Sequence, residues 1–217
     1  MENTGGKLVV SLLIICGAIG AVAFGYVWWS SNKTVLSNAN PVNNLGVILP
    51  TIDNDPAMGN AKAPMQIIAF EDFQCPYCEQ AYAIERQLVQ KYPNDILFVY
   101  RDFPLTTLHA QAWPAALAAN CANEQNKFWA YHDLMFAEQK NITQANIFQT
   151  WADKLKLNGT QFASCLSSQK YQEEVQQDFD AGVLAGVDRT PTYFVNGVKL
   201  TGVYTLEEWE EALQTLQ

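Results

Sequence analysis

Cys75 and Cys78 are the residues of this sequence best placed to do chemistry. They are separated by two residues in the stretch Phe70-Glu71-Asp72-Phe73-Gln74-Cys75-Pro76-Tyr77-Cys78. A thiol pair at this spacing can cycle between dithiol and disulfide, one sulfur attacking a substrate and the other resolving the mixed disulfide. Two bland readings compete with it. A structural zinc site needs two further ligands at knuckle-like spacing. Cys16, Cys121 and Cys165 are scattered, however, and the only histidines are His109 and His132. An inert bridge across two residues closes too small a loop to stabilise the chain much. The pair therefore reads as redox-active, with no metal and no cofactor.

The elements that must position the pair are legible around it. The apolar run 65–70 reads as a buried strand, and Ala81, Ile84, Leu88 and Val89 follow at helical spacing that ends near Tyr92-Pro93. Cys75 thus falls at the start of a helix and Cys78 one turn further in. Unpaired first-turn N–H groups and the positive end of the helix dipole favour a thiolate on Cys75. Pro76 is tolerated at the first helical position, where its missing N–H would have had no partner. A thiol so placed can have its pKa lowered to about 3.5–7.5, making Cys75 a nucleophile at neutral pH and leaving Cys78 to resolve.

Further along, the run 96–100 predicts a second strand parallel to the first, joined through a right-handed βαβ crossover. Helices are predicted at about 109–123, 126–139, 144–155, 161–167 and 171–186, with Ala112, Ala115, Ala116 and Ala119 offering a small packing face. Phe128, Trp129, Tyr131, Leu134 and Phe136 read as a core stripe, and His109 and His132 as structural or surface histidines. Taken alone, Thr190-Pro191 is a common turn. Strands 192–195 and 198–201 flank Asn196-Gly197, a pair suited to a type I′ hairpin turn. Thr205-Leu206-Glu207-Glu208 is a capping box opening a last helix whose buried face carries Trp209, Leu213 and Leu216.

At these residues the chain resembles the thioredoxin superfamily, and within it the DsbA-like branch of extracytoplasmic thiol-disulfide oxidoreductases. The resemblance rests on Phe70 through Cys78, on the segment from Gly186 through Thr190-Pro191 to Gly197, and on the helical stretch between them. It implies an α/β, thioredoxin-like fold with an all-helical insertion at about 105–186. It also implies a cis-proline loop in which Thr190 and Pro191 lie against the cysteines, with Pro76 and Tyr77 as the active-site dipeptide. Thr190 would pair its backbone with a bound substrate strand and tune the Cys75 thiolate through its side chain. Some relatives of this kind pair cysteines in the insertion. In an exported protein a structural bridge between Cys121 and Cys165 is the default, worth roughly 4 kcal/mol on the chain-entropy model. Several members carry a buried Glu six residues before the first Cys, where this chain has Ala69; the nearest acids are Glu71 and Asp72.

The chain of 217 residues can hold one sizeable domain plus an appendage. A net charge of −9 with no basic stripe argues against nucleic acid as a partner. Five cysteines are many for a reducing compartment, and Cys16 reads as the odd one, a small hydrophobe. Residues 8–29 carry no charge and are long enough to cross a bilayer, with Tyr26, Trp28 and Trp29 at the far end. Ala21-Val22-Ala23 keeps a cleaved signal peptide open as an alternative. The expected organisation is a cytoplasmic tail 1–7, a transmembrane helix 8–29, a polar linker 30–55 and a thioredoxin-like domain 56–217. Ahead of the domain, 46–49 could form a first edge strand, and 55–64 reads as a turn-rich entry to it. The expected location is the cell membrane, single-pass, with the catalytic domain outside the cytoplasm. The expected activity is donation of the Cys75–Cys78 disulfide to cysteine-containing exported proteins, with reduction or isomerisation at the same site as the alternative. The resemblance implies a membrane quinone-linked reoxidase, DsbB-like or vitamin-K-epoxide-reductase-like, as redox partner. A chaperone-like or adaptor module without catalysis is the reading from another class.

Overall fold

The computed structural model describes residues 55–216. The expected tail, the anchor at 8–29, the edge strand at 46–49, Cys16 and the linker save its last residue lie outside the described residues. No helix among the described residues is long and apolar enough to cross a membrane.

Five strands form one sheet in the order β1-β3-β2-β4-β5. They are β1 (Ala57–Gly59), β2 (Met65–Glu71), β3 (Ile96–Asp102), β4 (Thr192–Val195) and β5 (Val198–Thr201). Strands β2 and β3 run parallel with Ile67 opposite Phe98 and Ala69 opposite Tyr100, and the other pairings are antiparallel. Both central strands are buried almost throughout, which is why they read as continuous apolar runs rather than alternating ones. The alternation is still present in what each face touches. Ile68, Phe70, Val99 and Phe194 share one face with Phe103 and Val187. Residues of opposite parity, Ala69, Glu71, Tyr100 and Tyr193 among them, point to the other.

Helix α1 (Pro76–Lys91) makes the crossover from β2 to β3. Between β3 and β4 every element is helical: α2 (Ala112–Asn123), α3 (Phe128–Ala137), a 3₁₀ turn (Gln139–Asn141), α4 (Ile147–Lys154), α5 (Gly159–Ser167) and α6 (Gln172–Leu184). Helix α7 (Leu206–Thr215) closes the chain behind a capping box in which Thr205 and Glu208 bond each other's backbone. The insertion shares a core with the active-site loop. Phe73, Cys75, Cys78 and Tyr100 pack in one cluster with Phe128, Phe136, Trp151 and Phe162.

Several boundaries differ from the sequence expectation, each for a local reason. Helix α2 starts at Ala112 rather than 109, because the ring of His109 and the N–H of Gln111 are bonded to the active-site loop instead. Helices α3 and α4 start late because Asn126 and Asn146 take positive φ, +57° and +58°. Helix α5 starts early because Asn158 caps it, accepting the Gln161 N–H. Helix α6 stops at Leu184, two residues before Gly186 turns the chain at φ +77°. The lead-in 55–64 also contains β1, which the turn residues concealed. Gly59, at φ +91°, ends this strand where a Cβ would stand 2.1 Å from the Ile96 carbonyl oxygen, so only glycine fits.

Candidate active site

Cys75 is the N-cap of α1, with extended backbone and Pro76 immediately after it. The loop before it is held by Asp72, whose carboxylate is fully committed. Its Oδ1 accepts the Gln74 N–H at 2.7 Å, and its Oδ2 accepts the Leu105 N–H at 2.9 Å and lies 2.8 Å from His109 Nδ1. The Asp72 carbonyl accepts the Cys75 N–H at 2.9 Å. Gln74 reaches back to the insertion, accepting the Gln111 N–H at 2.7 Å. The strand end, the loop and the start of the insertion are thus one bonded unit.

Across from this unit, the Cys75 thiol points at the Thr190 carbonyl, 3.5 Å away. The Thr190–Pro191 peptide bond is cis, and Thr192 begins β4 directly after it. Among the described residues Cys75 and Cys78 are the free cysteines, both buried, Cys78 completely. The Cys75 pKa is lowered to about 6, first because the Cys78 thiol donates to its sulfur. Burial opposes this, while the Thr190 hydroxyl and the N–H groups of Cys78 and Tyr77 add to it. The Thr190 hydroxyl is itself buried and engaged by no hydrogen bond in this geometry, which leaves it available to the Cys75 thiolate. Cys78 moves the opposite way. Burial pushes its pKa up, and the same thiol–thiol bond and the charge of Glu71 push it further. One low and one high thiol give a division of labour between attack and resolution.

The carboxyl beside Cys78 is Glu71. It stands two positions after Ala69 on the same face of β2, so the strand's period of two lets either position carry the acid. Glu71 is fully buried and no donor reaches its oxygens. Burial raises its pKa well above the usual carboxylate range, and the Glu85 carboxyl beside it, from α1, raises it further. Glu85 accepts the Tyr193 hydroxyl at 2.6 Å and is pushed up as well, again mainly by burial. The two carboxyls form a buried pair in which burial disfavours charge on both, with Glu85 pushed to about 7.

Tyr77 is 58% exposed and borders an open cleft of about 930 Å³ lined also by Gln80, Arg189, Thr190 and Lys199. Cys121 and Cys165 are bridged, with Cα atoms 5.8 Å apart, and tie α2 to α5 within the core cluster that also holds Cys75 and Cys78. His132 is buried among Phe73, Tyr100, Trp129 and Phe136, and burial lowers its pKa. No cluster of metal-ligating side chains occurs among the described residues. Sequence reasoning missed the Glu85–Tyr193 bond, the tie of His109 to Asp72, and Gln139, whose amide donates to the carbonyls of Phe73 and Cys75. An acid in the middle of α1 and a glutamine after α3 look like surface residues until the packing is known.

Fold and site together define the class: a thiol-disulfide oxidoreductase on a thioredoxin-like scaffold. The chain belongs to the thioredoxin family, whose model matches residues 51–215. Its fold is similar to that of alpha-DsbA1 from Wolbachia pipientis, with a TM-score of 0.69 and 21% identity over 78% of this chain and 94% of the other. It is also similar to oxidised BdbD from Bacillus subtilis, with a TM-score of 0.68 and 21% identity over 76% of this chain and 94% of that one. Curated relatives include the Na(+)/H(+) antiporter NhaA 3 of Salinispora tropica, 37% identical over 163 residues, 75% of this chain and 25% of the relative. Another is NhaA 1 of Salinispora arenicola, 36% identical over 74% of this chain and 24% of the relative. The chain spans about a quarter of the length of these relatives.

These relatives correct the expected location. A single-pass cell-membrane protein with its catalytic domain outside the cytoplasm is not supported. The relatives carry the name of an ion antiporter, and no helix among the described residues is long and apolar enough to cross a membrane. That expectation is withdrawn.

Proposed function

We propose that the protein is a DsbA-like oxidase that donates the Cys75–Cys78 disulfide to cysteine-containing exported proteins. The observation that carries this reading is the opposed environment of the two sulfurs, Cys75 lowered to about 6 and Cys78 raised. A substrate thiolate attacks Cys75, the Cys75–Cys78 bond breaks, and its electron pair leaves on Cys78. Glu71, whose burial favours its protonated form, stands beside Cys78 and gives it a proton. A second substrate thiolate then attacks the substrate sulfur of the mixed disulfide and expels Cys75 as thiolate. The substrate leaves oxidised by two electrons and the enzyme holds them as a dithiol. A low Cys75 pKa makes it a good leaving group and stabilises the reduced enzyme, which makes the disulfide a strong oxidant. Thr190 faces the reacting sulfur, its hydroxyl tuning the thiolate. Pro191 shapes the loop, while Pro76 and Tyr77 start the helix and face the cleft. Regeneration needs an external oxidant, and a quinone-linked membrane reoxidase of the DsbB or vitamin-K-epoxide-reductase-like kind fits that need.

The bridged Cys121–Cys165 pair supports an oxidising compartment, since such bonds are rare where glutathione and thioredoxin keep thiols reduced. The test is the reduction potential of the full chain, equilibrated with glutathione buffers. The oxidase reading expects a value more oxidising than about −200 mV, and one near the thioredoxin value of about −270 mV would assign the site to reduction instead.

A further inference from the structure

The paired thiols are built into a loop whose backbone is gripped from the insertion by one side chain. Gln139 is buried in the 3₁₀ turn after α3. Its Nε2 donates to the Phe73 carbonyl at 3.1 Å and to the Cys75 carbonyl at 2.9 Å. An amide nitrogen has two hydrogens, and both are spent on carbonyls that flank Gln74. The Cys75 carbonyl also accepts the Glu79 N–H at 3.1 Å, the first helical bond of α1, so Gln139 completes its second lone pair. The turn that carries Gln139 is fixed in turn by Glu138. Glu138 accepts the Trp151 Nε1–H at 2.8 Å and pairs with Lys154, both on α4.

We propose that Gln139 is a positioning residue for the redox pair, its amide fixing the backbone of Phe73 and Cys75 so that the Cys75 sulfur faces the N–H groups opening α1. Two effects follow from the bonds on the page. The donors of Tyr77 and Cys78 reach the Cys75 sulfur only if the Cys75 backbone keeps its extended N-cap angles, and the carbonyl on that residue is what Gln139 holds. The bonded amide hydrogens also withdraw electron density from two carbonyl oxygens near a developing thiolate, which lessens their repulsion of it. The insertion thereby acts on the reactive sulfur through a single buried amide rather than through contact with substrate.

This inference rests on Cys75 being the reactive thiol, so that point is measured first. The reduced full chain is treated with iodoacetamide at about pH 6, and the modified residue is found by peptide mass. Failure to label Cys75 ahead of Cys78 would end the oxidase reading and this inference together. With Cys75 confirmed, three variants are compared by the thiolate absorbance midpoint and by alkylation rate against pH. Gln139→Leu removes both donors, Gln139→Glu keeps the size while replacing the donors with an acid, and Ile142→Val is a control that trims a buried neighbour only. The expected result is an upward move of the Cys75 midpoint by about one pH unit in Gln139→Leu. Alkylation would then be about fivefold slower at about pH 6 and would converge with wild type above about pH 9. Gln139→Glu should move the midpoint at least as far, and it carries the test if the leucine variant does not fold. Ile142→Val should lose some melting temperature and leave the midpoint in place. If the folded Gln139 variants also lose melting temperature while keeping the wild-type midpoint, Gln139 is structural and the inference is overturned.

Discussion

The sulfur of Cys75 lies 3.5 Å from the carbonyl oxygen of Thr190, a residue 115 positions further along the chain. Only part of what sets this sulfur's chemistry is local to the motif. Cys78 and the first N–H groups of α1 come from the loop itself, but Thr190 comes from the segment after the whole insertion, and the opposing burial comes from the shared core.

Thr190→Val keeps the backbone carbonyl and the side-chain volume and removes the hydroxyl. Because that hydroxyl lowers the Cys75 pKa and is engaged by no hydrogen bond elsewhere, the midpoint of thiolate absorbance should rise from about 6. The expected rise is roughly 0.5–1 pH unit, as suits one lost hydrogen bond to a charged sulfur. A variant that titrates with the wild type would remove Thr190 from the thiolate's environment.

Cys78→Ala should trap substrate proteins as mixed disulfides on Cys75, because the resolving thiol is gone. Cys75→Ala should trap few and lose oxidase activity entirely. Non-reducing gels of each reduced variant incubated with a disulfide-containing substrate decide it, since the Cys75 thiolate attacks one substrate sulfur and releases the other as thiol. Equal trapping by both would remove the division of labour between the sulfurs.

The lowered Cys75 pKa also makes a stability prediction with a definite sign. Between about 6 and the ordinary value of 9.0, Cys75 is a thiolate in the folded reduced protein and a thiol in the unfolded one. The unfolded state then binds more protons, so stability rises with pH across this window and the gain is lost as pH falls through about 6. Oxidised protein lacks the term, and Cys78 titrates too high to contribute below the window's upper end. Denaturant midpoints of reduced minus oxidised protein should therefore increase from pH 6 to pH 9. A flat difference would mean that the folded Cys75 pKa is not lowered.

Much of this arrangement can be read before folding, and the limits have physical causes. The strand before Cys75, the helix after it and the hairpin after Pro191 follow from apolar runs, spacing and turn residues, all local properties. The helical insertion is legible in type, but its boundaries shift where Asn126, Asn146 and Gly186 leave helical φ. The strand β1 is hidden because its pairing with β3 is made by backbone, not by side-chain pattern. Glu71, Glu85 and Gln139 become meaningful only once β2, α1 and the turn after α3 are brought together. Burial, which converts an ordinary acid into a proton reservoir, has no signature in one residue's neighbours along the chain.

Removing the Cys121–Cys165 bridge should cost stability without touching the chemistry. The bond spans 44 positions and joins α2 to α5. A double Cys→Ala substitution should lower unfolding stability by about 2–4 kcal/mol, read from the urea midpoint of the full chain. The Cys75 thiolate midpoint should stay where it is. A shift in that midpoint would show that the bridge supports the site and not only the fold.

The last prediction concerns Glu71, the buried acid beside Cys78. Its folded pKa is raised by burial and by Glu85, which favours the protonated carboxyl and lets it deliver a proton when Cys78 leaves the disulfide. In the return direction it can take the proton as Cys78 attacks. Glu71→Gln keeps the shape, cannot exchange a proton, and removes the negative charge that raises Cys78. Two effects therefore oppose each other. The thiol of Cys78 should titrate lower, while its coupled proton transfer should be slower. General acid–base catalysis contributes about 10²–10⁴-fold where it operates, which exceeds the gain from a modestly lower thiol pKa. In stopped-flow single turnovers of reduced enzyme with a substrate disulfide, where Cys78 is the resolving thiol, the mixed disulfide should form on Cys75 at close to the wild-type rate and then persist, resolution being at least tenfold slower. The same substitution removes a stability term with its own sign. A raised carboxyl stabilises the fold below the ordinary value of 4.5, and that contribution is lost as pH rises through the raised pKa. Glu71→Gln should thus flatten the decline of stability above pH 4.5. Unchanged resolution together with a flattened profile would leave Glu71 a buried acid without a part in the proton transfer of Cys78.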